Sequence, residues 1–227
     1  MVGLTPLFPW NMMPKRLLLL LQVPATLAIL AWVPGNVAKL LAFLMLWALT
    51  FRRVSRQEAI FFFLVCVFFT AMNAASLKQS IFAFTEPDIW GMPVYELLMW
   101  GFYLLHLQRL LEGAAPQGGH VLAGVLAVMY AAAFAAIPDG DVLLAVTGVL
   151  LLLGLAFFHE PMDLAYTGYL ILLGAAIEYT GVYSGQWHYP GHPVGGVPFW
   201  FITLWGGVGL FQRRLVLPVL ARYRSPP

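Results

Sequence analysis

Charge is scarce in this chain. Asp, Glu, Lys and Arg make up 10% of its 227 residues and leave a formal net charge of +2, too little to neutralise a run of nucleic-acid phosphates. Nucleic acid is therefore excluded as a partner. Cysteine is scarcer still: the single Cys66 sits inside an apolar run and supplies neither a disulfide framework nor a thiolate metal site. A small buried hydrophobe is its expected role. Also missing are a glycine-rich nucleotide fingerprint and any charged or Ser/Gly-rich linker. No cofactor is expected, and residues 1–227 read as a single membrane domain.

What the chain has is apolar surface. Hydrophobic residues are 61% of it, aromatics 15%, and the mean hydropathy is +0.83. Long uncharged runs of this kind specify an all-α integral membrane protein, because a helix satisfies its own backbone groups where lipid cannot. The lipid bilayer is its first partner. Part of the Trp and Tyr content is expected to form belts at the two interfaces.

The runs come in two copies. A shift of 105 residues places Gly91, Pro93, Trp100, Gly101, Leu105, Arg109 and Leu110 on Gly196, Pro198, Trp205, Gly206, Leu210, Arg214 and Leu215, seven identities in twenty ungapped positions. That is the signature of an internal duplication, with copies at about 15–112 and about 120–217. Residues 1–14, with Pro6, Pro9 and Pro14, read as an irregular entry. Lys15-Arg16 and the run Leu17 to Val33 resemble a signal peptide. The run lies at the 105-residue offset from the apolar run Leu122 to Pro138, however, so it is read as part of the repeat. The other expected spans are Val37 to Phe51 with Val142 to Ala156, Gln57 to Ala75 with Met162 to Thr180, and Gly91 to Leu111 with Gly196 to Val216.

Eight transmembrane helices follow, as two parallel four-helix repeats, since an even number of spans returns each copy to the same side. With both termini on one face, that face collects Lys15, Arg16, Arg52, Arg53, Arg56, Arg109, Arg213, Arg214, Arg222 and Arg224, ten of the twelve basic residues. Only Lys39 and Lys78 lie towards the other. The positive-inside rule makes the basic face cytoplasmic. A seven-span alternative that merges the first two runs splits these residues between the faces.

This topology gathers the unusual chemistry on the non-cytoplasmic side. Glu86 and Asp88 lie in the loop after the third span, and Trp187, His188, Tyr189 and His192 lie in the loop after the seventh. Asn73, Glu178 and Tyr179 end the preceding helices, and Glu96 lies about one turn inside the fourth span. An ionisable group within a span costs roughly 2.5–3.5 kcal/mol on insertion scales and usually faces a bundle interior or a wet cavity. A pocket is therefore expected there. Glu96 and Glu178 are its candidate acids, because a carboxyl group desolvated in hydrocarbon is held neutral and can donate a proton. Polar glue between helices is the alternative for both, and more so for Asn73. Trp100 and Trp205 occupy one position of the two copies, either as a symmetric packing pair or as pocket walls offering π faces to a ligand. His188 and His192 have metal-ligand spacing, but Tyr189-Pro190-Gly191 breaks a helix between them, so they are weak candidates and no metal is expected.

Trp187-His188-Tyr189, then a Gly/Pro segment, then a helix opening on Gly-Met-Pro or Gly-Val-Pro resembles the membrane carotenoid-modifying proteins. That superfamily comprises lycopene cyclases of the bacterial and fungal type, related carotenoid hydratases and, more distantly, integral-membrane terpene cyclases. The cyclases carry a P-x-E-E motif whose acids are implicated in protonating the polyene. Pro93-Val94-Tyr95-Glu96 matches its second acid, while the second copy reads Pro198-Phe199-Trp200-Phe201. The resemblance covers roughly residues 57–111 and 162–215. It implies an enzyme of the bacterial inner membrane that acts on an isoprenoid or carotenoid-like chain by proton-initiated cyclisation or hydration, with Asn73, Glu86, Asp88, Trp100, Tyr179, Trp187, His188, Tyr189, His192 and Trp205 around the substrate. A small-solute transporter and a non-catalytic subunit of a membrane complex are the competing readings. The histidines do not make the pattern of membrane di-iron oxygenases, so redox chemistry is not favoured.

Overall fold

The structure is a computed structural model that describes residues 15–191 and 193–222. The proline-bearing entry at 1–14, His192 and Arg224 lie outside the described residues. The chain is mostly helical. Helices α1 (Lys15–Trp32), α2 (Asn36–Phe51) and α3 (Arg56–Lys78) lead through strand β1 (Ala83–Phe84) to α4 (Glu96–Leu110). Then α5 (His120–Ala136), α6 (Gly140–Phe157) and α7 (Pro161–Tyr183) lead through β2 (Trp187–His188) to α8 (Trp200–Phe211), a π-helical turn (Gln212–Val216) and α9 (Leu217–Arg222). Lys15–Trp32, Arg56–Lys78, Gly140–Phe157 and Val194–Ala221 are each long and apolar enough to cross a membrane. Large side chains such as Leu20, Leu64, Phe68, Val149 and Leu152 are exposed on these helices, as expected where the solvent is lipid.

Local signals fix the helix starts. Ser55 and Glu58 close a capping box at α3, and Glu160 and Asp163 close one at α7, where Pro161 suits the first turn. The Asp139 side chain caps α6 by accepting from the backbone N–H of Asp141 and Val142. The fourth and last spans start later than their sequence suggests. Trp90 (φ 52°) and Gly91 (φ 81°) are left-handed, as are Gly195 (φ 75°) and Gly196 (φ 79°), so the chain turns there and helix begins only at Glu96 and Trp200. The glycines that open each expected span are its turn residues.

Packing concentrates on α7 against α8 and α3 against α4. Helix α1 lies on α2, α4 and α7, while α5 lies on α6, α8 and the π-helical turn. At one end the helices are tied by ion pairs. Arg109 grips Glu58 through Nε at 2.7 Å and Nη2 at 2.9 Å. A further 105 residues on, Arg214 grips the fully buried Asp163 through both Nε and Nη2, and Arg213 reaches Glu160 at 2.6 Å. At the opposite end β1 and β2 pair antiparallel, with Ala83 opposite His188 and Phe84 opposite Trp187.

Candidate functional site

A cleft of about 1240 Å³ runs between α3 and α5 and is floored by α4, α7 and α8. Seven of the residues singled out in the sequence line it: Asn73, Glu96, Trp100, Glu178, Trp187, Tyr189 and Trp205. Its walls are mostly apolar, and both flanking helices carry exposed hydrophobic faces, so the cleft opens sideways to the hydrocarbon as well as towards the β1–β2 end.

Glu178 sits where three elements converge. Its Oε2 accepts from the Trp187 indole at 3.1 Å and the Tyr189 hydroxyl at 2.8 Å, and its Oε1 accepts from the Trp205 indole at 3.2 Å. Indole N–H groups only donate, so the shell is built around an acceptor. Burial beside rings, with Glu178 adjacent, pushes the Tyr189 phenol well above its ordinary pKa, which keeps it a neutral donor. The close approach depends on glycine. A Cβ on Gly174 would stand 2.2 Å from the Trp205 ring, and one on Gly181 would stand 2.0 Å from the Trp187 ring. Gly174, Glu178 and Gly181 share one face of α7, so the two indoles lie flat against the helix one turn before and one turn after the acid they hold.

Glu96 opens α4 beside the cleft and is held differently. Asn73 Nδ2 donates to its Oε1 at 3.2 Å, and among the described residues its Oε2 takes part in no hydrogen bond. Below the two acids the rings form a stack. Phe69 lies on Trp100 with centroids 4.0 Å apart and planes at 6°, and Trp100 lies on Trp205 at 4.5 Å and 25°. Tyr103 edges the same stack, 5.6 Å from Trp205 and 6.0 Å from Trp100. The site can therefore present a free acid oxygen, a carboxylate held by donors and a continuous π surface to one apolar ligand.

Other expected members stand apart. Asp88 Oδ2 accepts from the backbone N–H of Val94 at 2.9 Å and so braces its own loop, and the Glu86 carbonyl accepts from Asn36 at 2.7 Å. Tyr179 packs on Tyr183 and Phe201, and His188 is exposed on β2. None of the four lines the cleft. Among the described residues no group of three or more His, Cys, Asp or Glu is placed to hold a metal. The sequence reading missed Phe69, Phe84, Tyr103, Tyr130 and Gln212 in the lining. It also missed Gly174 and Gly181, whose spacing around an intramembrane Glu was the available signal. No protein family, curated protein or solved structure matches this chain.

Proposed function

We propose that this protein is an integral-membrane enzyme that protonates a C=C bond of an isoprenoid or carotenoid-like chain taken from the bilayer, leading to cyclisation or hydration. The observation that carries the proposal is the unequal pair of acids in one aromatic cleft. Glu96, with Oε2 free, is the proton donor, and Glu178, ringed by three donors, is the group that takes a proton back. A carbocation between them needs a site low in water and rich in π faces, which the Phe69, Trp100 and Trp205 stack supplies. The resemblance carried by Trp187-His188-Tyr189 and by Pro93 to Glu96 agrees with this chemistry.

The same proposal includes the architecture: eight spans in two parallel four-helix repeats, both termini cytoplasmic, in a bacterial inner membrane. Helices α3 and α7 have equal length and start 105 residues apart. Two contacts join a residue to its own counterpart, namely Trp100 on Trp205 and Ala83 opposite His188. Such self-pairs are what a pseudo-two-fold axis along the membrane normal requires.

The test is lipid extraction from cells that make the protein together with a supply of linear isoprenoids. A cyclised or hydrated product is expected, and Glu96→Gln and Glu178→Gln should each lower it at least 100-fold, within the usual range for losing an acid or base. Unchanged lipids, with solute flux across vesicles instead, sink the proposal.

A further inference from the structure

Helix α1 closes over a second polar cluster on the far side of α4 from the cleft. Among Gln22, His106 and Tyr169, the first two are about 96% or more buried. His106 Nδ1 meets Gln22 Oε1 at 3.0 Å, and His106 Nε2 meets the Tyr169 hydroxyl at 2.6 Å. A carboxamide oxygen only accepts, so Nδ1 carries the hydrogen and Nε2 accepts from the phenol. Against this cluster lies a small cavity of about 10 Å³ lined by Gln22, Thr26, Tyr103 and His106, with Trp47 and Leu173 beside them. That is about the smallest volume that holds one water, and a water needs two to four polar partners. Tyr103 also lines the cleft, so its ring is the wall between the two spaces.

Packing alone does not call for these polar groups. The positions one repeat length from Gln22, Thr26, Tyr103, His106 and Tyr169 are Ala127, Ala131, Val208, Phe211 and Leu64. They hold the equivalent places in the other half with no polar atom among them.

We propose that Gln22, Thr26, Tyr103 and His106 form a binding site for one water molecule, and that this water passes Tyr103 into the cleft as the nucleophile of a hydration. This step rests on the proton-transfer function above. The Glu96 proton forms a C–H bond with the π electrons of the C=C, leaving the neighbouring carbon positive. The water oxygen forms the C–O bond, and its surplus proton goes to Glu178. Transfer from Glu178 to Glu96 restores the pair. A cleft open to hydrocarbon receives little water from that side, which gives an inner store its use.

Hydroxyl-radical footprinting of the purified protein in H2(18)O tests the site without any substrate. Radicals generated from bound water are expected to label Trp47 and Leu173 although both are buried. That labelling should be lost in a Gln22→Ala/His106→Phe/Tyr169→Leu variant, which borrows the residues of the other half. A His106→Gln variant should retain it if the triple variant fails to fold. In cells, the ratio of hydroxylated to water-free product should fall at least tenfold in the triple variant. Absence of labelling in the native protein, or a native ratio in a folded triple variant, overturns the water site. Failure of Glu96→Gln to change the lipids overturns the enzyme function instead and leaves the footprint standing.

Discussion

The flanks of the protein under α1 and under α5, two helices that start 105 residues apart, end up different. Helix α1 reaches both α4 and α7 and seals its flank over Gln22, His106 and Tyr169. Helix α5 packs on α8 but leaves α3 uncovered, and the resulting gap is the cleft. One flank has a cover and the other a door. The acids diverge in the same sense, since Glu96 faces Phe201 one repeat length on, and Glu178 faces Asn73. A single composite site between the halves needs that asymmetry, whereas two independent sites would have kept two sets of acids.

The comparison is sharpest at the ion pairs, where the largest effect is expected. Asp163 is fully buried between Arg213 and Arg214, whereas the side chains of Glu58 and Arg109 keep 17% and 21% of their exposure. Removing one partner of a buried pair leaves an uncompensated charge and costs about 3–5 kcal/mol. Asp163→Asn should therefore lower the thermal unfolding midpoint in detergent far more than Glu58→Gln, which should cost about 1–2 kcal/mol. Equal losses would mean that the two ends are equivalent after all.

Two glycines of the second half differ next. An added methyl at Gly181 meets the Trp187 ring at 2.0 Å, while at Gly206 it meets the end of Leu151 at 2.9 Å and Ile171 at 3.1 Å, both flexible side chains. Overpacking of this kind costs about 1–3 kcal/mol. Gly181→Ala should also turn Trp187 away from Glu178 and abolish product, and Gly206→Ala should retain it. Product from a folded Gly181→Ala would show that the indole contact to the acid is dispensable.

The helices were legible because hydrocarbon imposes one backbone solution on long apolar runs. The start of α4 was not, because Gly91 and Pro93 read equally well as a helix entry and as a turn, and only the left-handed φ of Trp90 and Gly91 decides. The acids, the paired Trp100 and Trp205, and Asn73 were legible from polarity in an apolar context and from the repeat. Phe69 and Tyr103 were not, since an aromatic inside an aromatic-rich span carries no mark until its neighbours are placed. Glu86 and Asp88, expected beside the substrate, stand outside the cleft, and the backbone bond by which Asp88 braces its own turn carries no mark in the sequence.

The smallest effect on stability belongs to the mouth of the cleft. Ala127 and Ala131 face it from α5, where α1 carries Gln22 and Thr26 one repeat length earlier. Ala127→Leu with Ala131→Leu adds apolar bulk at sites that border lipid and open space, so stability should change by about 0.5 kcal/mol or less. The door narrows all the same. Conversion of long isoprenoid chains should fall at least tenfold, measured as product per unit of folded protein, while short chains are spared because they need not thread between α3 and α5. If long chains turn over at the native rate, the ligand enters from the β1–β2 end. The difference between the flanks would then concern where water is kept and not where substrate passes.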